Sequence, residues 1–166
     1  APEVIPIIYW DCFLDDNAPN AEHFKMDRTL KSDGTQLDYG GTHSYMKIFL
    51  PTPANGFGAK MARFVDTLFD RCGARGIYWD ELEYSVCRYH YGKPWDEVSG
   101  DIDPQTFTLV NKKSSVTLLS QPFRLQQAKR ILARGQLIGN SPPHTRSMAR
   151  MKFQRFTETG LISNCA

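Results

Sequence analysis

The sequence predicts an α/β fold with a parallel sheet, because short apolar runs alternate along the chain with amphipathic stretches. Strands are predicted at 4–10, 76–82 and 136–139, and helices at 57–72 and 122–134. Alternation of this kind requires crossover connections that return each strand to the sheet in the same direction. The three strands are therefore expected to lie parallel in one sheet.

The first half of the chain begins with a strand and reaches its first helix through a long loop. Residues 4–10 are almost continuously apolar, as in strands buried on both faces. Residues 21–45 predict a loop, 47–50 a short strand, and Asn55 a helix N-cap. The apolar residues of the helix recur at spacings of three and four, which predicts one buried stripe. That stripe comprises Phe57, Met61, Phe64, Val65, Leu68, Phe69 and Cys72.

The second half repeats this order. Residues 84–113 predict another long connection, and residues 114–120 fit no single assignment. Pro122 is expected in the first turn of the next helix, where its missing N–H costs nothing. A strand at 136–139 and a last helix at about 145–159 complete the chain.

The length predicts a single domain over residues 1–166 and sets a limit on its architecture. A closed (β/α)8 barrel takes about 250 residues, and only three βα units are visible here. The long connections follow strands, as they do in barrels, so the pattern favours a partial TIM-barrel-like fold. Further chain segments would then complete the barrel, and the isolated chain is expected to expose apolar surface and associate.

Composition excludes several classes of function. The chain has 20 basic and 18 acidic residues, a net charge of +2 and no long apolar run. We therefore expect neither nucleic acid nor a membrane as a partner. The four cysteines are widely spaced without a zinc-site pattern, and we predict no metal site and no cofactor. Phosphate-binding, nucleophile-elbow and metalloprotease motifs are also missing from the sequence.

Acidic residues at strand ends are the strongest candidates for chemistry. Asp80, Glu81 and Glu83 end the second strand beside Trp79, and the first strand ends in Trp10 and Asp11. Ligands of α/β proteins collect at the carboxyl ends of parallel strands. A carboxylate next to an indole can have its pKa raised by desolvation, as a general acid requires, while a second serves as nucleophile or base. Asp80 and Glu81 are the predicted catalytic residues, with the choice between them open.

Residues suited to binding a sugar surround these acids in the sequence. Asn140 follows the third strand, and Tyr84 and Trp95 lie in the connection after the acidic strand. Aromatic faces stack on the C–H surface of a sugar, whereas amides and carboxylates bind its hydroxyl groups. We therefore predict that Asp11, Trp10, Trp79, Glu83, Tyr84, Trp95 and Asn140 contact a carbohydrate substrate.

Two short segments resemble strands of glycoside hydrolases with (β/α)8 barrels. They are Gly-Ile-Tyr-Trp-Asp-Glu at 76–81 and Leu-Ile-Gly-Asn at 137–140, followed by Pro142. The resemblance implies a catalytic or substrate-binding carboxylate at Asp80 or Glu81 and a binding role for Asn140. Two alternatives stay open: a non-catalytic carbohydrate-binding fragment, and a metal-dependent hydrolase using Asp11, Asp80, Glu81 and a histidine.

Overall fold

A four-stranded parallel sheet forms the centre of one of two compact units in the computed structural model, which describes residues 4–157. The first unit contains residues 4–12, 62–83 and 124–157 of that range, and the second contains 13–61 and 84–123. The strands are β1 Ile7–Trp10, β2 Leu14–Asp15, β3 Lys47–Ile48, β4 Gly76–Trp79, β5 Tyr89–His90, β6 Gly100–Ile102, β7 Leu109–Lys112, β8 Ser114–Ser115, β9 Gln136–Asn140 and β10 Gln154–Phe156. The α-helices are α1 Ala18–His23, α2 Gly56–Asp70, α3 Val116–Leu132 and α4 Arg146–Ala149.

The sheet of the first unit has the order β1-β4-β9-β10, and every neighbouring pair is parallel. The predicted parallel arrangement of the strands near 4–10, 76–82 and 136–139 is therefore confirmed. The α/β class is confirmed with it, whereas the partial barrel and the single domain stay predictions. Alternate residues of the central strand, Ile77 and Trp79, are completely buried, because successive side chains point to opposite faces.

One strand is shorter than predicted at the end that carries the acids. The second predicted strand ends at Trp79, and residues 80–83 form a turn. Glu81 has a φ of 47°, in the left-handed region that side chains other than glycine rarely adopt. The extended backbone therefore stops before the acids, and the prediction of a strand that reaches residue 82 is wrong.

Helix α2 begins directly after Asn55, the predicted N-cap. The Asn55 side chain accepts hydrogen bonds from the N–H groups of Gly58, at 2.9 Å, and Thr52, at 3.0 Å. Its amide donates to the Leu50 carbonyl at 2.6 Å. The predicted stripe is buried at Phe57, Met61, Val65 and Leu68. Phe64 and Cys72 are exposed instead.

Helix α3 starts six residues before the predicted position, at Val116, so Pro122 lies inside it. The prediction that Pro122 occupies the first turn is wrong. The buried positions of α3 include Ser120, Arg124 and Gln127. A hydrophobicity pattern could not find this start, because part of the buried stripe is polar.

The last predicted helix is mostly absent from the described residues. Thr145 caps a single helical turn, α4, and residues 154–156 then form the parallel edge strand β10. Phe156 stacks on Tyr78 of β4. Pairing with β9 and this contact outweigh the local helical pattern. The end of that predicted helix lies outside the described residues.

The second unit is built from three two-stranded antiparallel pairs: β2 with β3, β5 with β8, and β6 with β7. Phe49 and Phe57 stack at its core with ring centres 4.5 Å apart, and the edge of Phe24 packs against both rings. The predicted connection at 84–113 thus contains the strands β5, β6 and β7, whereas the predicted loop at 21–45 contains isolated β-bridges such as Leu30 with Gln36. No helix among residues 4–157 is long and apolar enough to cross a membrane.

Replacing Asn55 by alanine should lower the free energy of unfolding by about 1–2 kcal/mol, because the start of α2 loses its cap. Urea denaturation followed by circular dichroism measures the change. Gln126→Ala, on the exposed side of α3, is the control and should change stability by less than about 0.5 kcal/mol. Equal effects of the two substitutions would contradict the capping role.

Candidate functional site

Three strand ends of the first unit meet at Asp80. The register pairs Trp10 with Trp79 and Trp79 with Gly139, so the next residues of the three strands share one edge. The Asp80 N–H donates to the Trp10 carbonyl at 2.9 Å. The sheet therefore places the residues that follow β1 and β4 beside the last residue of β9, Asn140.

The Asp80 carboxylate is held by donors from both neighbouring strands. Tyr9 Oη donates to Oδ2 at 2.9 Å, and Asn140 Nδ2 donates to Oδ1 at 2.7 Å. Oδ1 also accepts from the Glu81 backbone N–H at 3.0 Å, and Tyr78 Oη lies 3.5 Å away, at the limit of a hydrogen bond. We call Tyr9, Tyr78, Asp80 and Asn140 the sheet-edge cluster.

Tyr9 acts as a hydrogen-bond donor in this cluster. Partial burial raises the pKa of its phenol far above the usual range, and the hydrogen bond to Asp80 raises it further. The negative charges of Asp11, Asp80 and Glu81 act in the same direction. The phenol therefore stays protonated at neutral pH and donates to the carboxylate.

An aromatic row lies on the same face of the sheet as Asp80. The ring centres of Tyr9 and Tyr78 are 5.7 Å apart, and Phe156 stacks on Tyr78 at 5.3 Å with an interplanar angle of 18°. The exposed fractions of Tyr9 and Phe156 are 56% and 40%. Sequence reasoning did not select these three residues. The repeated Tyr-Trp-Asp at 9–11 and 78–80 contained the signal for the tyrosines, since alternation puts each on the face of its Asp.

Trp10 and Trp79 lie on the opposite face and belong to the core. Their rings are 4.5 Å apart, and only 2% and 0% of their surfaces are exposed. These tryptophans were predicted to contact substrate, but in this structure they expose almost no surface to a ligand. Their burial follows from the same alternation that brings Tyr9 and Tyr78 to the other face.

Glu83 is completely buried and forms an ion pair. Arg124 Nη1 donates to its Oε2 at 2.6 Å, and Arg155 Nη1 lies 3.7 Å from Oε1. Burial lowers the pKa of Arg124, and the charge of Glu83 opposes that shift. The structure thus places Glu83 within the unit as a charge partner of two arginines, away from ligand-accessible surface.

Two of the other predicted acids remain near the sheet edge. Glu81 is partly exposed on the turn that leaves β4, and its left-handed φ is a strain of the kind that clusters at functional sites. Asp11 directly follows β1 and is almost completely buried.

Tyr84 and Trp95 belong to the second unit. Trp95 Nε1 donates to the Ser99 carbonyl at 2.7 Å, and the ammonium group of Lys112 lies 4.5 Å from the ring centre. The Arg88 guanidinium lies 5.4 Å from the centre of the Tyr84 ring. A cation of the same unit therefore lies over one face of each aromatic ring that was predicted to stack on sugar.

Close packing next to Asn140 depends on a glycine. A Cβ at Gly139 would lie 2.8 Å from Leu82 Cδ1 and 2.9 Å from a ring carbon of Phe153. Leu82 N–H also donates to the Asn140 carbonyl at 3.3 Å. Gly139 thus lets the turn after β4 approach β9, which brings Asp80 within reach of Asn140.

Residues 4–157 hold no group of three or more His, Cys, Asp or Glu side chains arranged to bind a metal ion. The predicted ligands Asp11, Asp80 and Glu81 therefore do not converge with a histidine within that range. Comparison with protein-family models, curated proteins and solved structures gave no match for this chain.

Glu83 and Glu81 should respond differently to loss of charge. Glu83→Gln should destabilise the protein by about 3–5 kcal/mol, because it leaves a buried guanidinium without its partner. Glu81→Gln removes the same charge two residues away, from a partly exposed side chain, and should change stability by less than about 1 kcal/mol. Thermal unfolding measured by calorimetry tests the difference, and equal losses would contradict the structural role of Glu83.

Proposed function

We propose that this chain binds carbohydrate at the carboxyl edge of its parallel sheet, as a glycoside hydrolase-like domain. The observation that supports the proposal is the hydrogen-bond network around Asp80. Four donors from the ends of three strands orient one carboxylate, and it is not completely buried. Such orientation by residues on rigid elements is what a binding or catalytic carboxylate requires.

The surroundings of Asp80 suit a sugar ring. Asn140 and Asp80 offer an amide and a carboxylate, which pair with hydroxyl groups. Tyr9, Tyr78 and Phe156 offer partly exposed aromatic surface beside them, on which an apolar sugar face can stack. This combination of one apolar surface with a few oriented polar groups is typical of small-molecule sites.

Within a hydrolytic mechanism, Asp80 and Glu81 take different roles. Asp80 accepts hydrogen bonds through both oxygens, which suits an anion that attacks or stabilises the anomeric carbon. Glu81 lies on the adjacent turn and is the candidate acid that protonates the leaving oxygen. The same residue would then act as base towards water in the second step of a retaining reaction.

Non-catalytic binding is the second candidate function, and one observation favours it. Glu83, the third acid of the segment, is removed from the site by its ion pair with Arg124. The sheet edge is thus left with Glu81 and the nearly buried Asp11 as possible partners of Asp80. If neither reaches the leaving group, the chain binds sugar without cleaving it. A metal-dependent hydrolase is not favoured, because residues 4–157 hold no group of three or more His, Cys, Asp or Glu side chains placed to bind a metal ion.

Asp80→Asn tests the proposal directly. Binding is measured by NMR titration of the full chain with a panel of gluco-, manno-, galacto- and xylo-oligosaccharides, and turnover with the corresponding aryl glycosides. The substitution should weaken binding at least about tenfold, because the amide replaces an acceptor oxygen with a donor. Any turnover of the unsubstituted chain should fall by about 1,000-fold or more.

Asp70→Asn is the matched control, since Asp70 is an exposed acid of the same unit that pairs with Arg134. It should leave binding unchanged. Circular dichroism must show that both variants are folded. Sugar binding without turnover in the unsubstituted chain would select the non-catalytic function. Absence of binding to the whole panel, or an Asp80→Asn variant that binds normally, would overturn the proposal.

A further inference from the structure

The sheet edge differs from the rest of the first unit in how its carboxylate charge is balanced. Glu83 faces two guanidinium groups, those of Arg124 and Arg155. The donors to Asp80 are two phenols, an amide and a backbone N–H, and all of them are neutral. Neutral donors orient a carboxylate without cancelling its charge, and within residues 4–157 no arginine, lysine or histidine forms an ion pair with Asp80.

Arg155, the arginine of the edge strand β10, is already engaged. Arg155 donates to the carbonyls of Ser141, at 3.3 Å, and Met148, at 3.0 Å. Its guanidinium also lies 4.1 Å from the centre of the Phe153 ring. These contacts, together with Glu83, hold Arg155 in place, so it does not supply a counter-charge to Asp80 in this structure.

The aromatic row attracts the same kind of group as the carboxylate. A cation placed over the face of a tyrosine or phenylalanine is stabilised by the ring quadrupole. Tyr9 and Phe156 are the most exposed members of the row, and Tyr9 donates a hydrogen bond to Asp80. A ligand at this edge thus meets a carboxylate held by neutral donors and aromatic faces together.

We propose that the site takes a hydroxylated ligand carrying a protonated amine, such as an amino sugar, in preference to its neutral or anionic counterpart. This specificity rests on the proposed carbohydrate function. An ammonium group pairs with Asp80 and contacts the aromatic row, whereas a carboxylate on the ligand is repelled. The hydroxyl groups of the same ring bind Asn140.

The experiment compares three ligands that share one ring and differ in charge: glucosamine, glucose and glucuronic acid. Each is titrated into the full chain at low ionic strength and slightly acidic pH, and dissociation constants are obtained by NMR. Glucosamine should bind about fivefold more tightly than glucose, as expected for a partly exposed ion pair. Glucuronic acid should bind more weakly than glucose. The preference for glucosamine should shrink when salt is added, because exposed charges are screened.

Asp80→Asn should bring the glucosamine-to-glucose affinity ratio close to one, while the control Asp70→Asn should leave it unchanged. Equal affinity for glucosamine and glucose in the unsubstituted chain would overturn the charge preference and leave the carbohydrate function standing. A preference that persists in Asp80→Asn would overturn the role of Asp80. Absence of binding for all three sugars and for the oligosaccharide panel would overturn both proposals.

Discussion

Asp80 accepts hydrogen bonds from Tyr9 of one neighbouring strand and Asn140 of the other, so one carboxylate joins three strand ends. This contact exists because β1, β4 and β9 are parallel and in register up to Trp79. A shift of one residue in β4 would send the Asp80 side chain to the buried face, in place of Trp79. The candidate site therefore depends on the register of the sheet, which the buried residues Ile77 and Trp79 help to fix.

Two nearby carboxylates, Asp80 and Glu83, lie in opposite charge environments. Glu83 is neutralised in the interior by arginines, where an isolated charge would cost several kcal/mol. Asp80 is oriented at the sheet edge by neutral groups, which do not cancel its charge. The turn at Glu81, with its positive φ, separates the two environments within three residues. We regard this division between a buried structural acid and a partly exposed acid as the basis of the proposed specificity.

The sequence was most informative where local pattern and tertiary contacts agree. Alternating apolar runs correctly predicted the parallel strands, and Asn55 correctly predicted the start of α2. The ion pair between Glu83 and Arg124 joins residues 41 positions apart, and no local pattern indicates it. The strand β10 was missed for the same reason, because its pairing with β9 outweighs a helical periodicity. Trp10 and Trp79 were predicted to contact substrate because they adjoin acids in the sequence, whereas alternation along the strands buries both side chains in the core.

The proposed site requires that ligands bind at the sheet-edge cluster rather than among the aromatic residues of 84–113. NMR mapping of the oligosaccharide that binds most tightly in the panel distinguishes these two locations. We expect chemical-shift changes to concentrate in residues 9–11, 78–81 and 139–141, including the Asn140 side-chain amide. Shifts confined to residues 84–113, centred on the Trp95 indole, would contradict it.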